Sequence, residues 1–173
     1  MNIEKHTKYL ENLKLLSQRA GSVIMEFYNG DNQVRAKSDG SPLTLADSAS
    51  EKIILKGLEE FASGVPVVSE ENEHSHSIKP PNEYFLVDPL DGTKEFIKMD
   101  GKGSFTVNIA LIEDGFPTLG VIYAPGLNRM FYGSKLLGAF EDGESIFSKL
   151  SYGQRIVSKE GDLWRWDGLI VSA

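Results

Sequence analysis

Residues 87–96 read Val87-Asp88-Pro89-Leu90-Asp91-Gly92-Thr93-Lys94-Glu95-Phe96, and the rest of the chain is interpreted around them. They follow residues 84–87, a short apolar run typical of a buried strand. Pro89 cannot donate to a sheet ladder and Asp91-Gly92 favours a turn, so we expect the strand to break or reverse here. We therefore place Asp88 at a strand end and Asp91 at the start of a helix.

The two aspartates of this stretch suggest a site for a metal ion. Asp88 and Asp91 lie three residues apart, and a tight turn between them would let both carboxylates converge on a hard cation such as Mg2+. The free N–H groups of a helix that starts after the turn suit a phosphate held beside that cation. However, Asp, Pro and Gly are also the usual residues of a surface turn. The stretch alone leaves both interpretations open.

Two upstream segments extend the pattern. They are Ser69-Glu70-Glu71 and residues 39–47, which read Asp-Gly-Ser-Pro-Leu-Thr-Leu-Ala-Asp. Together with residues 87–96 they resemble the inositol monophosphatase family of metal-dependent, lithium-sensitive phosphatases. The string Asp-Pro-Leu-Asp-Gly-Thr-Lys-Glu-Phe is most similar to the 3'(2'),5'-bisphosphate nucleotidase branch, since inositol monophosphatases tend to carry Thr-x-Asn-Phe after Asp-Gly. The three motifs occur in the order that the family has.

The resemblance implies a Mg2+-dependent phosphomonoesterase that removes the 3'-phosphate of adenosine 3',5'-bisphosphate. The implied mechanism is in-line attack by a metal-activated water. The nearest alternative is an inositol or fructose phosphatase on the same scaffold. An alternative of another class is a catalytically inactive fragment that only binds a metal. A phosphorylated nucleotide or sugar is thus the expected partner.

The resemblance also implies a role for each motif residue. One Mg2+ would be held by Glu70, Asp88 and the carbonyl of Leu90, and Asp88 would bridge to a second ion held also by Asp91. Glu70 and Thr93 would orient the water, with Asp47 in support. The catalytic set is therefore Glu70, Thr93 and Asp47, and the substrate-binding set is Glu70, Leu90, Asp91, Gly92 and Thr93, with the last two holding the phosphate through their N–H groups.

Asp47 has a second explanation. Thr44 and Asp47 have the spacing of a capping box that opens a helix. An acid in a first helical turn is favoured by the helix dipole, so Asp47 needs no catalytic role on local grounds. The resemblance to the family favours a role for Asp47 in the active site.

The remaining pattern predicts an α+β fold. Apolar residues recur at three- and four-residue steps over residues 4–28, and a second helix follows Thr44. Residues 31–43 are expected to form a loop or short hairpin, residues 65–68 a short strand, and residues 72–83 a loop in which His74 and His76 are solvated. From Ser104 the period becomes two, which predicts an antiparallel meander. We therefore expect two N-terminal helices packed on a mostly antiparallel sheet.

Composition excludes several classes of function. The 173 residues carry a net charge of -7, which argues against general binding to a nucleic-acid polymer or an anionic membrane. No apolar run approaches the roughly 18 residues of a membrane span, and the polar N-terminal residues lack the apolar core of a signal peptide. The absence of cysteine excludes disulfides and thiolate metal sites. We expect a cytoplasmic protein.

The C-terminal residues lead to an expectation about domain organisation. Residues 168–173 predict a buried strand that stops in mid-motif, after a polar loop with Trp164 and Trp166. The family continues into a second lobe that carries another metal-binding aspartate and most of the substrate pocket. We therefore expect residues 1–173 to form a single truncated domain, the N-terminal lobe. Alone it should be inactive, bind Mg2+ weakly and be marginal or self-associating.

Overall fold

The computed structural model describes residues 2–30, 34–36, 42–76, 81–99, 101–146, 156–157 and 163–164. Its helices are α1 (Ile3–Tyr28), α2 (Leu45–Ala62), α3 (Glu73–His76) and α4 (Thr93–Lys98), with a 3-10 turn at Pro125–Leu127. Its strands are β1 (Val34–Ala36), β2 (Pro42–Thr44), β3 (Val67–Ser69), β4 (Glu83–Asp91), β5 (Thr106–Glu113), β6 (Phe116–Ala124), β7 (Arg129–Ser134), β8 (Gly138–Glu141), β9 (Glu144–Ser145), β10 (Ile156–Val157) and β11 (Leu163–Trp164).

Helix α1 confirms the first predicted element. Asn2 caps it, because its side chain accepts hydrogen bonds from the N–H groups of Glu4 and Lys5 at 2.9 and 3.2 Å. Its apolar residues fall on one face, which packs on α2 and on the sheet. The buried members of that face are Leu10, Leu13, Leu16, Ala20 and Ile24.

Helix α2 lies close against α1, and a glycine permits that approach. A Cβ built on Gly57 would come within 2.3 Å of a methyl carbon of Leu16. Any larger residue at this position would force the two helices apart or displace Leu16. The spacing of α2 therefore depends on Gly57, and α2 is the helix that reaches the candidate site.

Seven strands form one sheet in the order β3-β4-β5-β6-β7-β8-β9. Only β3 and β4 run parallel, and every other neighbouring pair is antiparallel. The alternation predicted from Ser104 onward is confirmed, since one face of β5 is buried through Val107, Ile109 and Leu111. With the two helices packed on that face, the predicted α+β class is confirmed.

Some local predictions were wrong. Residues 73–76 form the short helix α3 rather than a loop, and Trp164 lies in β11, which pairs with β10. The expected hairpin at residues 31–43 is present as the antiparallel pair β1–β2. Trp166 and the strand expected at residues 168–173 lie outside the described residues. Within the described ranges, no helix has both the length and the apolar character needed to cross a membrane.

A partly buried ionic cluster connects α1 to the far end of the sheet. Glu113, at the end of β5, accepts hydrogen bonds from Lys5 at 3.0 Å, His6 at 3.2 Å and Thr118 at 2.5 Å. Lys5 also bonds Glu83 at 2.9 Å. Burial alone would raise the pKa of Glu113, but the bonds from Thr118, Lys5 and His6 outweigh it and lower the pKa from 4.5 to about 2.

This cluster predicts a contribution to acid stability. Because the pKa of Glu113 is lower in the folded state, its carboxylate stabilises the fold above about pH 4.5, and that stability is lost as the pH falls towards about 2. The difference in pKa sets an upper limit of roughly 3 kcal/mol, and solvent screening of this partly exposed carboxylate reduces its contribution to about 1 kcal/mol. We expect Glu113→Gln to lower the free energy of unfolding at pH 7 by an amount of that order and to flatten its dependence on acid pH. Urea titrations from pH 2.5 to 7 measure both quantities, and Glu60→Gln, at an exposed glutamate of α2, is the control. The prediction would be wrong if Glu113→Gln and the wild type showed the same dependence of unfolding free energy on pH.

Candidate active site

Strand β4 carries both Asp88 and Asp91, and a β-bulge lies between them. Asp88 pairs with Asn108 on β5 and Asp91 pairs with Thr106, so Pro89 and Leu90 lie opposite a single residue of β5. The predicted strand end at Asp88 was wrong by three residues, because β4 continues to Asp91. The predicted break is present as this bulge, where a proline without an N–H is tolerated.

The helix after the turn begins at Thr93, not at Asp91 as predicted. Gly92 precedes it with φ of 84°, a left-handed conformation that favours glycine. A Cβ at Gly92 would also lie 2.8 Å from the carbonyl oxygen of Ser104. The chain therefore passes close to the neighbouring backbone before α4, and it leaves the Asp91 carboxylate in the turn that precedes the helix.

The parallel pairing of β3 with β4 brings Glu70 to Asp88. Ser69 pairs with Val87, and the Glu70 N–H donates to the Val87 carbonyl at 2.9 Å, so the next residue of each strand falls side by side. The Glu70 carboxyl acts on the Asp88 carboxyl both through its charge and as a hydrogen-bond partner, and both effects raise the pKa of Asp88. Burial, then the charge of Glu70 and this hydrogen bond, then the charge of Asp91 raise the pKa of Asp88 to about 8, against the lowering effect of the Leu90 N–H.

Thr93 lies between two acceptors. Its hydroxyl is 3.1 Å from the Leu90 carbonyl oxygen and 3.4 Å from Oδ1 of Asp47. Oδ2 of Asp47 accepts from the N–H and hydroxyl of Thr44 at 2.8 and 2.5 Å, which completes the capping box. Asp47 is fully buried. The capping explanation of Asp47 is therefore confirmed for one oxygen, and the other oxygen faces Thr93.

The donor set fits a hard divalent cation. Glu70, Asp88, Asp91 and the Leu90 carbonyl offer only oxygen atoms, and a cation would offset both the burial of the Asp88 charge and its repulsion by Glu70 and Asp91. Over the described part of the chain, no group of three or more His, Cys, Asp or Glu side chains is already arranged to hold a metal ion. Asp91 is instead 3.4 Å from the Asn108 side-chain amide, which donates to it. The assembled unit is the Glu70–Asp88 pair, with Asp91 close enough to affect its charge.

The sequence interpretation missed the groups that support these segments. Ser50 donates to the Pro89 carbonyl, and Glu51 accepts from the Ser69 hydroxyl. Both follow Asp47 by three and four residues, so helical spacing could have placed them on the same face as Asp47. His76 is exposed as predicted, and its Nε2 also lies 2.7 Å from the Ser69 carbonyl oxygen. His74 is exposed as predicted.

Comparisons with known proteins identify the family of this chain. The model of the inositol monophosphatase family matches residues 6–160. The 3'(2'),5'-bisphosphate nucleotidase CysQ of Salmonella typhimurium is 47% identical over 129 residues, which cover 73% of this chain and 52% of that protein. CysQ of Escherichia coli K12 is 47% identical over 125 residues, or 70% of this chain and 50% of the relative. The chain thus spans about half the length of the curated relatives it matches.

Solved structures show the same fold. The crystal structure of CysQ from Bacteroides thetaiotaomicron, described as a bacterial member of the inositol monophosphatase family, matches with a TM-score of 0.64 and 32% identity. That match covers 84% of this chain and 52% of the other. The extragenic suppressor protein suhB from Bartonella henselae matches with a TM-score of 0.71 and 28% identity, over 80% of this chain and 53% of the other.

Proposed function

The chain belongs to the inositol monophosphatase family, and from this premise we propose that it supplies the metal-binding residues of a Mg2+-dependent phosphomonoesterase. The proposed substrate is adenosine 3',5'-bisphosphate, from which the enzyme removes the 3'-phosphate. The observation that carries the proposal is the pairing of Glu70 with Asp88 beside the β4 bulge, next to the Thr93 hydroxyl. The relatives named as bisphosphate nucleotidases support the choice of substrate.

The residues that would hold Mg2+ are Glu70, Asp88, Asp91 and the carbonyl of Leu90. When bound, the ion supplies positive charge that stabilises the transferring phosphoryl group and lowers the pKa of water. A protein with a net charge of -7 needs such local charge to accept an anionic substrate. The N–H groups of Gly92 and Thr93 are proposed to hold the phosphate.

Thr93 and Asp47 would orient the attacking water. The Thr93 hydroxyl can donate its one hydrogen to the Leu90 carbonyl, at 3.1 Å, or to Oδ1 of Asp47, at 3.4 Å. Its oxygen lone pairs are then available to accept a hydrogen bond from a water molecule. Asp47 is suited to this support, since Thr44 and the start of α2 hold its other oxygen. Glu70 would accept a second hydrogen bond from the same water.

Phosphate release from three substrates tests the proposal. The protein encoded by the complete reading frame that contains this chain is assayed with adenosine 3',5'-bisphosphate, inositol 1-phosphate and fructose 1,6-bisphosphate, each with and without Mg2+. We expect Mg2+-dependent release, fastest from the nucleotide and inhibited by Li+. Preference for a sugar phosphate would overturn the substrate, and no release from any of the three would overturn the proposed function.

A further inference from the structure

One face of α2 contacts three separate segments of the candidate site. Asp47, Ser50 and Glu51 occupy positions i, i+3 and i+4, which share a helix face. Asp47 faces Thr93, Ser50 contacts the bulge of β4, and Glu51 contacts the end of β3. Two of these contacts are to segments that carry proposed metal ligands, although neither Ser50 nor Glu51 belongs to the ligand set.

Ser50 holds the bulge. Its side chain is fully buried, and its hydroxyl donates to the Pro89 carbonyl at 2.8 Å. The carbonyl lies within the segment where the β4–β5 register shifts, between Asp88 and Asp91. Without the hydroxyl, the Pro89 carbonyl loses this hydrogen bond, which connects the bulge to α2. The two aspartates flank that bond on either side.

Glu51 holds the end of β3 through Ser69. The Ser69 side chain donates to Oε1 of Glu51 at 2.5 Å, and its N–H donates to the Ser75 hydroxyl at 3.1 Å. The Ser69 carbonyl is 2.7 Å from Nε2 of His76. With Ser69 only 1% exposed, these bonds fix the peptide that immediately precedes Glu70. The Glu70 side chain is exposed, and its backbone is held by its own hydrogen bond to Val87 and by the bonds of Ser69.

From these contacts we infer that Ser50 and Glu51 are positioning residues, through which α2 sets the distance between the backbone of Glu70 and that of Asp88 and Leu90. The inference rests on the proposed function, because the distance matters only if Glu70, Asp88 and Leu90 bind the same Mg2+. Groups that orient metal ligands without touching the ion commonly change metal affinity or activity by about 10- to 100-fold when they are removed. The inference therefore requires that Mg2+ affinity falls by a factor of this size while the KM for the substrate stays nearly unchanged.

Two substitutions test the inference in the protein from the complete reading frame. Ser50→Ala removes the bond to Pro89, and its control is Ser48→Ala, an exposed serine of the same helix. Glu51→Met removes the acceptor for Ser69, Glu51→Gln keeps one, and Glu60→Met is the control at an exposed glutamate of α2. The measurements are the Mg2+ concentration for half-maximal rate, the KM for adenosine 3',5'-bisphosphate, and Mn2+ binding to the metal-free protein by electron paramagnetic resonance.

We expect Ser50→Ala and Glu51→Met to weaken Mg2+ and Mn2+ binding by about 10- to 100-fold, with KM changed by less than about threefold. Glu51→Gln should recover most of the loss, and both controls should match the wild type. Ser69→Ala should reproduce Glu51→Met, and the double variant should be no worse than either, because both remove the same bond. This pair keeps the inference testable if Ser50→Ala fails to fold.

Unchanged metal affinity in Ser50→Ala and Glu51→Met, even with a lower melting temperature, would overturn the inference and leave both residues purely structural. The proposed function fails separately, if the wild type releases no phosphate from any substrate. In that case the Mn2+ affinities alone still decide the positioning role. Wild-type protein that binds no Mn2+ would overturn both.

Discussion

Asp88→Asn is expected to reduce Mg2+-dependent turnover by about a thousandfold or more, because it removes a proposed metal-ligating carboxylate that interacts with both Glu70 and Asp91. The metal-free variant should be as stable as the wild type or more stable, because asparagine does not need to take up the proton that Asp88 binds on folding, when its pKa rises from 3.8 to about 8. Phosphate release and thermal unfolding of the metal-free protein measure the two effects. Loss of activity with retained stability separates a ligand from a residue that only maintains the fold.

The matched control for Asp88→Asn is Asp114→Asn. Asp114 lies in the turn between β5 and β6 with φ of 52°, a conformation that asparagine adopts readily. The control substitution makes the same acid-to-amide change far from the site, so its turnover should stay at the wild-type level. Near-normal activity in Asp88→Asn would remove Asp88 from the proposed ligand set.

Thr93→Val is expected to lower turnover by about a hundredfold, whereas Thr93→Ser should keep it within about threefold of the wild type. Valine keeps the shape of threonine but loses the hydroxyl that faces the Leu90 carbonyl and Asp47. Serine keeps that hydroxyl. Steady-state phosphate release at saturating Mg2+ measures the difference. The comparison separates a role in orienting water from one in packing.

Thr7→Val is the control for Thr93→Val. Thr7 is an exposed residue of α1 whose hydroxyl donates only to the carbonyl of Ile3 in its own helix, at 2.9 Å. Its loss should leave turnover unchanged. Equal rates for the serine and valine variants at position 93 would show that Thr93 acts only in packing.

Helices α1 and α2, the meander and the candidate motif residues followed from the sequence itself. Helix periodicity, the Thr44–Asp47 capping box and the period-two pattern of β5 are local, because each depends on residues within a few positions of one another. For the same reason the turn chemistry of Pro89 and Gly92 was recognised. The sequence did not predict that this segment forms a bulge or that the helix starts only at Thr93. Both features depend on pairing with β5 and on the nearby Ser104 carbonyl.

Only the tertiary structure decided which of these residues meet. Glu70 reaches Asp88 because β3 pairs in parallel with β4 at the register of Ser69 with Val87, and no local pattern specifies that register. The contacts of Ser50 and Glu51 depend on how α2 packs against both strands. Long-range contacts of this kind are selected by burial of the whole core, so the sequence named the acids of the site while the packing determined how they are brought together.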